Sequence, residues 1–135
     1  MTPTLTNPFE HNDDLATAST DYQAAVARGE ELQALPRSTA TDRNVQRQHS
    51  KNRMTVWERI EFLVDEKPTI LYQNWGPNLD GASLVTVIGS INGRDVAIYG
   101  HDFTVRAGSM DATNGEKLAR LFELAGDRKI PLIGL

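Results

Sequence analysis

The chain has 135 residues, a formal net charge of −4, 39% hydrophobic and 24% charged residues, and no cysteine. That length suits one domain with a real core and is too short for two comfortable ones. The acidic balance argues against a sequence-independent nucleic-acid binder, and the lack of cysteine excludes disulfides, thiolate zinc sites and a cysteine nucleophile.

His11, His49 and His101 are scattered and give no metal-ligand spacing. No apolar run approaches the ~20 residues of a membrane span. Met1 to Pro8 lack the charged and apolar regions of a secretory signal, so a cytoplasmic location is the expectation.

Residues 1–14, with Pro3, Pro8, Asn12, Asp13 and Asp14, read as a mobile tail or a segment ordered by a partner. From Leu15 to Leu35 the apolar positions fit a loose helical stripe, weakened at Gly29 and ended by Pro36. Residues 37–53 are polar and basic, with only Val45 as an anchor. Arg37, Arg43, Arg47, Lys51 and Arg53 face a single acid there, Asp42. Such a run serves as a solvated surface or, less commonly, as a phosphate-facing patch.

Thr55-Val56-Trp57-Glu58 has the form of a capping box, and Trp57, Ile60, Leu63 and Val64 follow at helical spacing. A helix from Val56 to about Asp65 is expected, stopped by Lys67-Pro68. Asp65-Glu66 then lies at its C-terminus without an assigned role. Ile70 to Trp75 reads as a strand closed by Gly76-Pro77-Asn78, and Trp57 and Trp75 as packing residues. Asn92-Gly93 separates two apolar runs and predicts a type I′ hairpin between Leu84–Ile91 and Arg94–Tyr99.

The loop Arg106-Ala107-Gly108-Ser109 follows the second hairpin strand and precedes a helix. Small residues allow a ligand to approach the backbone, and free N–H groups at a helix start favour an oxyanion or phosphate. A turn kept small by close helix–sheet packing is an equal alternative. The loop is neither a P-loop nor a G-x-G-x-x-G turn. His101 at a strand end reads first as a hydrogen-bonded structural residue, and no Ser lies in a G-x-S-x-G elbow.

Leu118, Leu121, Phe122 and Ala125 form the expected apolar face of that helix, with Glu116, Lys117, Arg120 and Glu123 on the others and Gly126 in the C′ position. Ile130 to Leu135 is expected as a short buried strand. The order strand, helix, strand implies a right-handed crossover and a parallel pair.

Residues 54–135 resemble the N-terminal part of the biotin-dependent acyl-CoA carboxyltransferases, the acyl-CoA carboxylase β subunits. Met54 to Asp65 is similar to the family's L-T-A-R-E-R-I-x-x-L-L-D helix. Val85 to Ile98 is similar to its V-x-G-x-G-x-I-N-G-R-x-V-x-V hairpin, and Asp102 to Asp111 to D-F-T-V-x-G-G-S-x-G. Gly115 to Arg120 resembles A-x-K-I-x-R, and Pro131 to Leu135 resembles P-x-I-G-L. Ala107 and Asp111 depart from the pattern, since many members carry Gly at both positions.

The resemblance implies an α/β, crotonase-like (ClpP/crotonase) partial domain: a β-hairpin and a parallel β-α-β unit with N-terminal helices. Residues 1–53 are then a tail with a helical and basic extension, and residues 54–135 the first part of an acyl-CoA-binding domain. It also implies that CO2 moves between carboxybiotin and the α-carbon of an acyl-CoA. CoA contacts fall on Arg106, Ala107, Gly108 and Ser109, with Lys51 and Arg53 as weaker candidates for its phosphates. No catalytic acid or base is implied.

In the family, a Ser-Gly-Gly-Ala-Arg turn after the last strand stabilises the enolate. No such turn and no Ala-Met-Lys-Met biotin-attachment sequence occur in these residues, so biotin is expected on a separate carrier. The expected partners are an acyl-CoA, a companion carboxyltransferase chain and that carrier, within an oligomer, with neither nucleic acid nor membrane. Two alternatives stand beside this one: a non-catalytic assembly subunit or truncated carboxyltransferase, and a crotonase-like hydratase or isomerase. The last is disfavoured because no Glu follows the loop at a suitable turn.

Overall fold

A computed structural model describes residues 20–32, 40–72 and 80–135. The expected tail over 1–14, the helix break at Pro36, and the strand and turn residues 73–78 lie outside the described residues. The chain divides into two compact units, Met1–Gln33 and Ala34–Leu135. In the first, residues 20–32 form helix α1, inside the expected helical span.

The second unit begins with a helix that the polar stretch did not announce, α2, Asp42–His49. Thr41 caps it by accepting the Asn44 N–H, Asp42 lies in its first turn, and Arg47 and His49 lie in its last. Each of these complements the helix dipole or its open donors. α2 buries no residue of its own. Polar ties hold it instead: Asn44 Nδ2 donates to the Thr104 carbonyl at 2.9 Å, and His49 Nε2 lies 2.9 Å from Glu58 Oε1.

Helix α3, Val56–Leu63, carries the expected capping box, with the Thr55 N–H donating to Glu58 Oε2 at 2.7 Å. It ends two residues earlier than expected, at a Val64 cap in extended conformation. The next residue, Asp65, has a role after all. Its N–H donates to the Ser90 carbonyl at 2.8 Å, and its Oδ2 accepts the Gly93 N–H at 2.9 Å. The end of α3 is thereby tied to the hairpin turn. Donation from the Gly93 and Asn92 N–H groups lowers the Asp65 pKa.

Four strands form one sheet in the order β1-β2-β3-β4. β1 is only Thr69–Ile70, paired antiparallel with Ile88 and Val87 of β2. Of the expected Ile70–Trp75, Leu71 and Tyr72 lie outside this strand, Tyr72 with the backbone at φ 53°, and residues 73–75 are not among the described residues. β2, Leu84–Ile91, and β3, Arg94–His101, make the predicted hairpin, with Ile91 opposite Arg94. Asn92 and Gly93 adopt φ of 52° and 73°, the pair of positive values that a type I′ turn requires.

Alternation along the hairpin gives the sheet two apolar faces. Val85, Val87, Val96 and Ile98 pack against Val56, Trp57 and Ile60 of α3. Ile60 is fully buried, which stabilises the fold by roughly 1.5–3 kcal/mol. On the other face, Ala97 meets Leu121 and Ala125 of helix α4, Ala112–Arg128, with Ile88, Tyr99 and Ile130 at the margin. Thr86 is buried on this face too, and its hydroxyl donates to the Leu71 carbonyl at 2.7 Å.

The inward face of α4 is rotated from the expected one. Asn114, Lys117, Leu121 and Ala125 are buried, whereas Phe122 is 46% exposed. The helix also runs past Gly126, and Lys129 takes the left-handed position at φ 54°. Ile130 N–H donates to the Ala125 carbonyl at 3.0 Å and Lys129 N–H to the Gly126 carbonyl at 3.1 Å, a Schellman closure. Packing of Ile130 beside buried Ala125 fixes this register, so the Gly is not needed at the stop.

β4, Leu132–Gly134, pairs parallel with β3, Ile133 lying opposite Ile98. The parallel pair is as expected. The strand is not buried, however: it lies at the sheet edge with Leu132 37% exposed.

Candidate functional site

The site is built where β3 ends. Asp102 is buried, and its Oδ1 accepts both the Thr104 N–H, at 2.9 Å, and the Thr104 hydroxyl. Its own N–H donates to the Ser83 carbonyl at 2.8 Å. These bonds turn the chain away from the sheet and leave Phe103 62% exposed beside the next turn.

That turn is a short 3-10 segment, Arg106–Gly108. Arg106, Ala107 and Gly108 have φ of 46°, 54° and 73°, three consecutive left-handed residues of which only the last is glycine. A left-handed non-glycine residue costs roughly 1–2 kcal/mol, so the surroundings must hold the turn. The N–H groups of Gly108 and Ser109 close it on the Val105 and Arg106 carbonyls at 2.9 and 3.1 Å. His101 Nδ1 lies 3.0 Å from the Gly108 carbonyl. A carbonyl only accepts, so Nδ1 carries the proton and His101 serves as a structural donor.

A second clamp joins this turn to α4 and to the loop before β2. The Ser109 carbonyl accepts from the Ser83 hydroxyl at 2.5 Å and from Asn114 Nδ2 at 3.1 Å. Asp111 caps α4, its Oδ1 accepting the Asn114 N–H at 2.7 Å and its Oδ2 the Gly81 N–H at 2.9 Å. Burial raises the Asp111 pKa, but the Gly81 and Asn114 donors and the charges of Arg106 and Lys117 outweigh it and leave it lowered.

Lys117, expected on a solvent face, is instead 6% exposed. Its Nζ donates to the Gly81 carbonyl at 2.6 Å and to the Leu84 carbonyl. Burial lowers its pKa from 10.5 to about 8, opposed by the Asp111 charge.

Between α2 and the 3-10 turn lies a cleft of about 420 Å³ whose walls include Arg47, Lys51, Arg53, Phe103, Arg106 and Ala107. The structure therefore brings together four of the six predicted contacts: Lys51 and Arg53 from the end of the basic stretch, and Arg106 and Ala107 from the loop. Gly108 and Ser109 are not among the lining residues. They shape the turn from behind, through the hydrogen bonds given above.

Two lining residues are not among the predicted contacts, although Arg47 belongs to the basic run read from the sequence. Arg47 lies four residues before Lys51 in the stretch now seen to enter α2, and Phe103 sits three residues before Arg106 within the D-F-T-V motif. Four cations around one cleft concentrate positive potential despite the acidic chain. The exposed ring of Phe103 adds a flat apolar surface on which an aromatic base can stack.

Arg106 is already engaged. Its Nη1 lies 3.5 Å from Asp80 Oδ1 and 3.5 Å from Asp111 Oδ2. Among the described residues no group of His, Cys, Asp and Glu is arranged to hold a metal ion, and no helix is long and apolar enough to cross a membrane.

Residues 47–135 match the family model described as the carboxyl transferase domain. The chain is 33% identical over 117 residues to the propionyl-CoA carboxylase beta chain of Cereibacter sphaeroides, covering 78% of this chain and 23% of that one. Over 102 residues it is 36% identical to the biotin-dependent acetyl-/propionyl-coenzyme A carboxylase beta5 subunit of Mycobacterium tuberculosis, covering 67% of this chain and 19% of that one.

Among solved structures, the geranyl-CoA carboxylase beta subunit of P. aeruginosa superposes with a TM-score of 0.77 at 21% identity, covering 98% of this chain and 26% of that one. Transcarboxylase 12S, solved with methylmalonyl-coenzyme A and methylmalonic acid bound, gives 0.72 at 26% identity, covering 83% of this chain and 24% of that one. The crotonase-like α/β reading of the fold is borne out. The chain spans about a fifth to a quarter of the length of the relatives it matches.

Proposed function

The chain belongs to the carboxyl transferase domain family, and on that premise we propose that it forms the acyl-CoA-holding part of a biotin-dependent carboxyltransferase. Enzymes of that kind move CO2 between carboxybiotin and the α-carbon of an acyl-CoA. In this reading residues 54–135 are the first part of the acyl-CoA-binding domain, residues 1–53 an extension of it, and further sequence or a companion chain completes the active site. Biotin arrives on a separate carrier, and the protein works in a soluble, cytoplasmic oligomer.

The observation that carries the reading is the cleft. Lys51 and Arg53 and the turn at Arg106-Ala107 are separated by some fifty residues of sequence, yet they line one cavity. The phosphates of CoA would meet Arg47, Lys51, Arg53 and Arg106, where charge-assisted hydrogen bonds are strongest. Its adenine would lie against Phe103, and the small side chain of Ala107 would let the ligand approach the turn. Gly108 and Ser109 contribute by fixing that turn. The described residues supply binding and orientation of the thioester, and no proton transfer is assigned to any of them.

Isothermal titration of the chain with acetyl-CoA and propionyl-CoA, alone and with a companion carboxyltransferase chain, tests this. Saturable heat at micromolar to millimolar ligand is expected. No heat at millimolar ligand in either setting would refute the reading.

A further inference from the structure

We propose that Asp111, with Asp80 beside it, sets the positive charge that Arg106 presents to the cleft and so acts as an affinity determinant for phosphate-bearing ligands there. This rests on the cleft being the acyl-CoA phosphate site.

The geometry makes Asp111 the fixed partner. Asp111 is held on both oxygens, Oδ1 by the Asn114 N–H at 2.7 Å and Oδ2 by the Gly81 N–H at 2.9 Å. Its carboxylate therefore cannot swing away from the arginine. Those same bonds keep its pKa below the ordinary value, so it is ionised at neutral pH. The Arg106 backbone is fixed too, by the closed turn, but its side chain is 41% exposed and contacts each acid at 3.5 Å. Contacts of that length are loose, and solvent-exposed pairs of this kind are weak.

An incoming phosphate therefore meets Arg47, Lys51 and Arg53 on one wall and a partly neutralised Arg106 on the other. It must share the guanidinium with two carboxylates or draw it away from them. Asp111 thus restrains the cleft's charge from the start of α4. The acid serves twice: it caps α4, and it weakens the cleft's grip on anions. Asp111 and Asp80 act through Arg106 and are positioning residues rather than ligand contacts.

The test is isothermal titration of the full chain with coenzyme A at several salt concentrations. The variants are Asp80→Asn, Asp111→Asn, Arg106→Gln and the double variant Asp111→Asn/Arg106→Gln. Asn keeps one oxygen to cap α4 but replaces the one that accepts the Gly81 N–H with an NH2 group, so Asp111→Asn also loses that tie. Asp80→Asn leaves it in place. Each acid-to-amide change should tighten binding about two- to five-fold and steepen its salt dependence. In the Arg106→Gln background the Asp111 effect should vanish, as coupling through that arginine requires. If circular dichroism shows Asp111→Asn unfolded, Asp80→Asn carries the same prediction without touching the helix cap. Unchanged or weaker binding in the folded single variants, or an equal gain without Arg106, would overturn the inference while leaving the acyl-CoA reading intact. Failure of every variant and of the wild type to bind coenzyme A at millimolar concentration would overturn both.

Discussion

Lys117 Nζ donates to the Gly81 carbonyl at 2.6 Å, fastening the first half of α4 to the loop that precedes β2. The same amine reaches the Leu84 carbonyl, so one buried cation organises the loop that presents Asp80 and Gly81 to the site. Burial lowers its pKa from 10.5 to about 8, against the Asp111 charge. Between those two values the unfolded chain keeps a proton that the folded chain has released. Stability attributable to Lys117 therefore rises as pH climbs from about 8 to 10.5. Each unit of displacement corresponds to about 1.4 kcal/mol. Urea unfolding at pH 7.5 and pH 10 should show wild type gaining about 1–3 kcal/mol relative to Lys117→Met across that interval. Equal pH dependence of the two proteins would contradict the assignment.

The 3-10 turn predicts opposite outcomes for adjacent residues. Ala107 has φ 54°, so Ala107→Gly should raise stability by about 1 kcal/mol. Gly108 has φ 73°, and a Cβ there would lie 3.3 Å from His101 Cβ, so Gly108→Ala should destabilise by about 1–2 kcal/mol. Thermal melts of the two variants check this. The same sign for both would mean the turn is not closed as described.

α4 gives a third prediction, because its stop lies three residues beyond Gly126. Nothing stands within 4 Å of a Cβ added at Gly126. As a helix-interior position it should gain about 0.5–1 kcal/mol on Gly126→Ala. Lys129→Gly should also stabilise, by about 1 kcal/mol, through relief of its left-handed backbone. Loss of stability in Gly126→Ala would return the helix end to the glycine.

Local chemistry was legible in the sequence where a few adjacent residues decide it. Asn92-Gly93 specified the hairpin, Thr55 and Glu58 the start of α3, and the order of motifs the parallel pair of β3 and β4. What escaped was decided at a distance. α2 has no buried residue to mark it, and its ties run to Thr104 and Glu58. Lys117 sits at a helical position that a charge rule assigns to solvent, and only the carbonyls of Gly81 and Leu84 explain its burial. Gly126 offered a stop, but burial of Ala125 beside Ile130 placed the closure at Lys129. Of the candidate site, the loop and the basic run by themselves left a ligand cradle and a plain turn or solvated surface open, and only the family resemblance pointed to Arg106, Ala107, Gly108, Ser109, Lys51 and Arg53. The meeting of four of these in one cleft, with Arg47 and Phe103 added, came only from the fold.

On the proposed reading, the cleft between α2 and the 3-10 turn holds the acyl-CoA. An amide NMR titration of the isotopically labelled chain with propionyl-CoA tests it most directly. Saturable shifts are expected at Lys51, Arg53, Arg106 and Ala107, with residues of the hairpin turn at Asn92-Gly93 unmoved. Saturation with those four amides unshifted, or no shift anywhere at millimolar ligand, would contradict it.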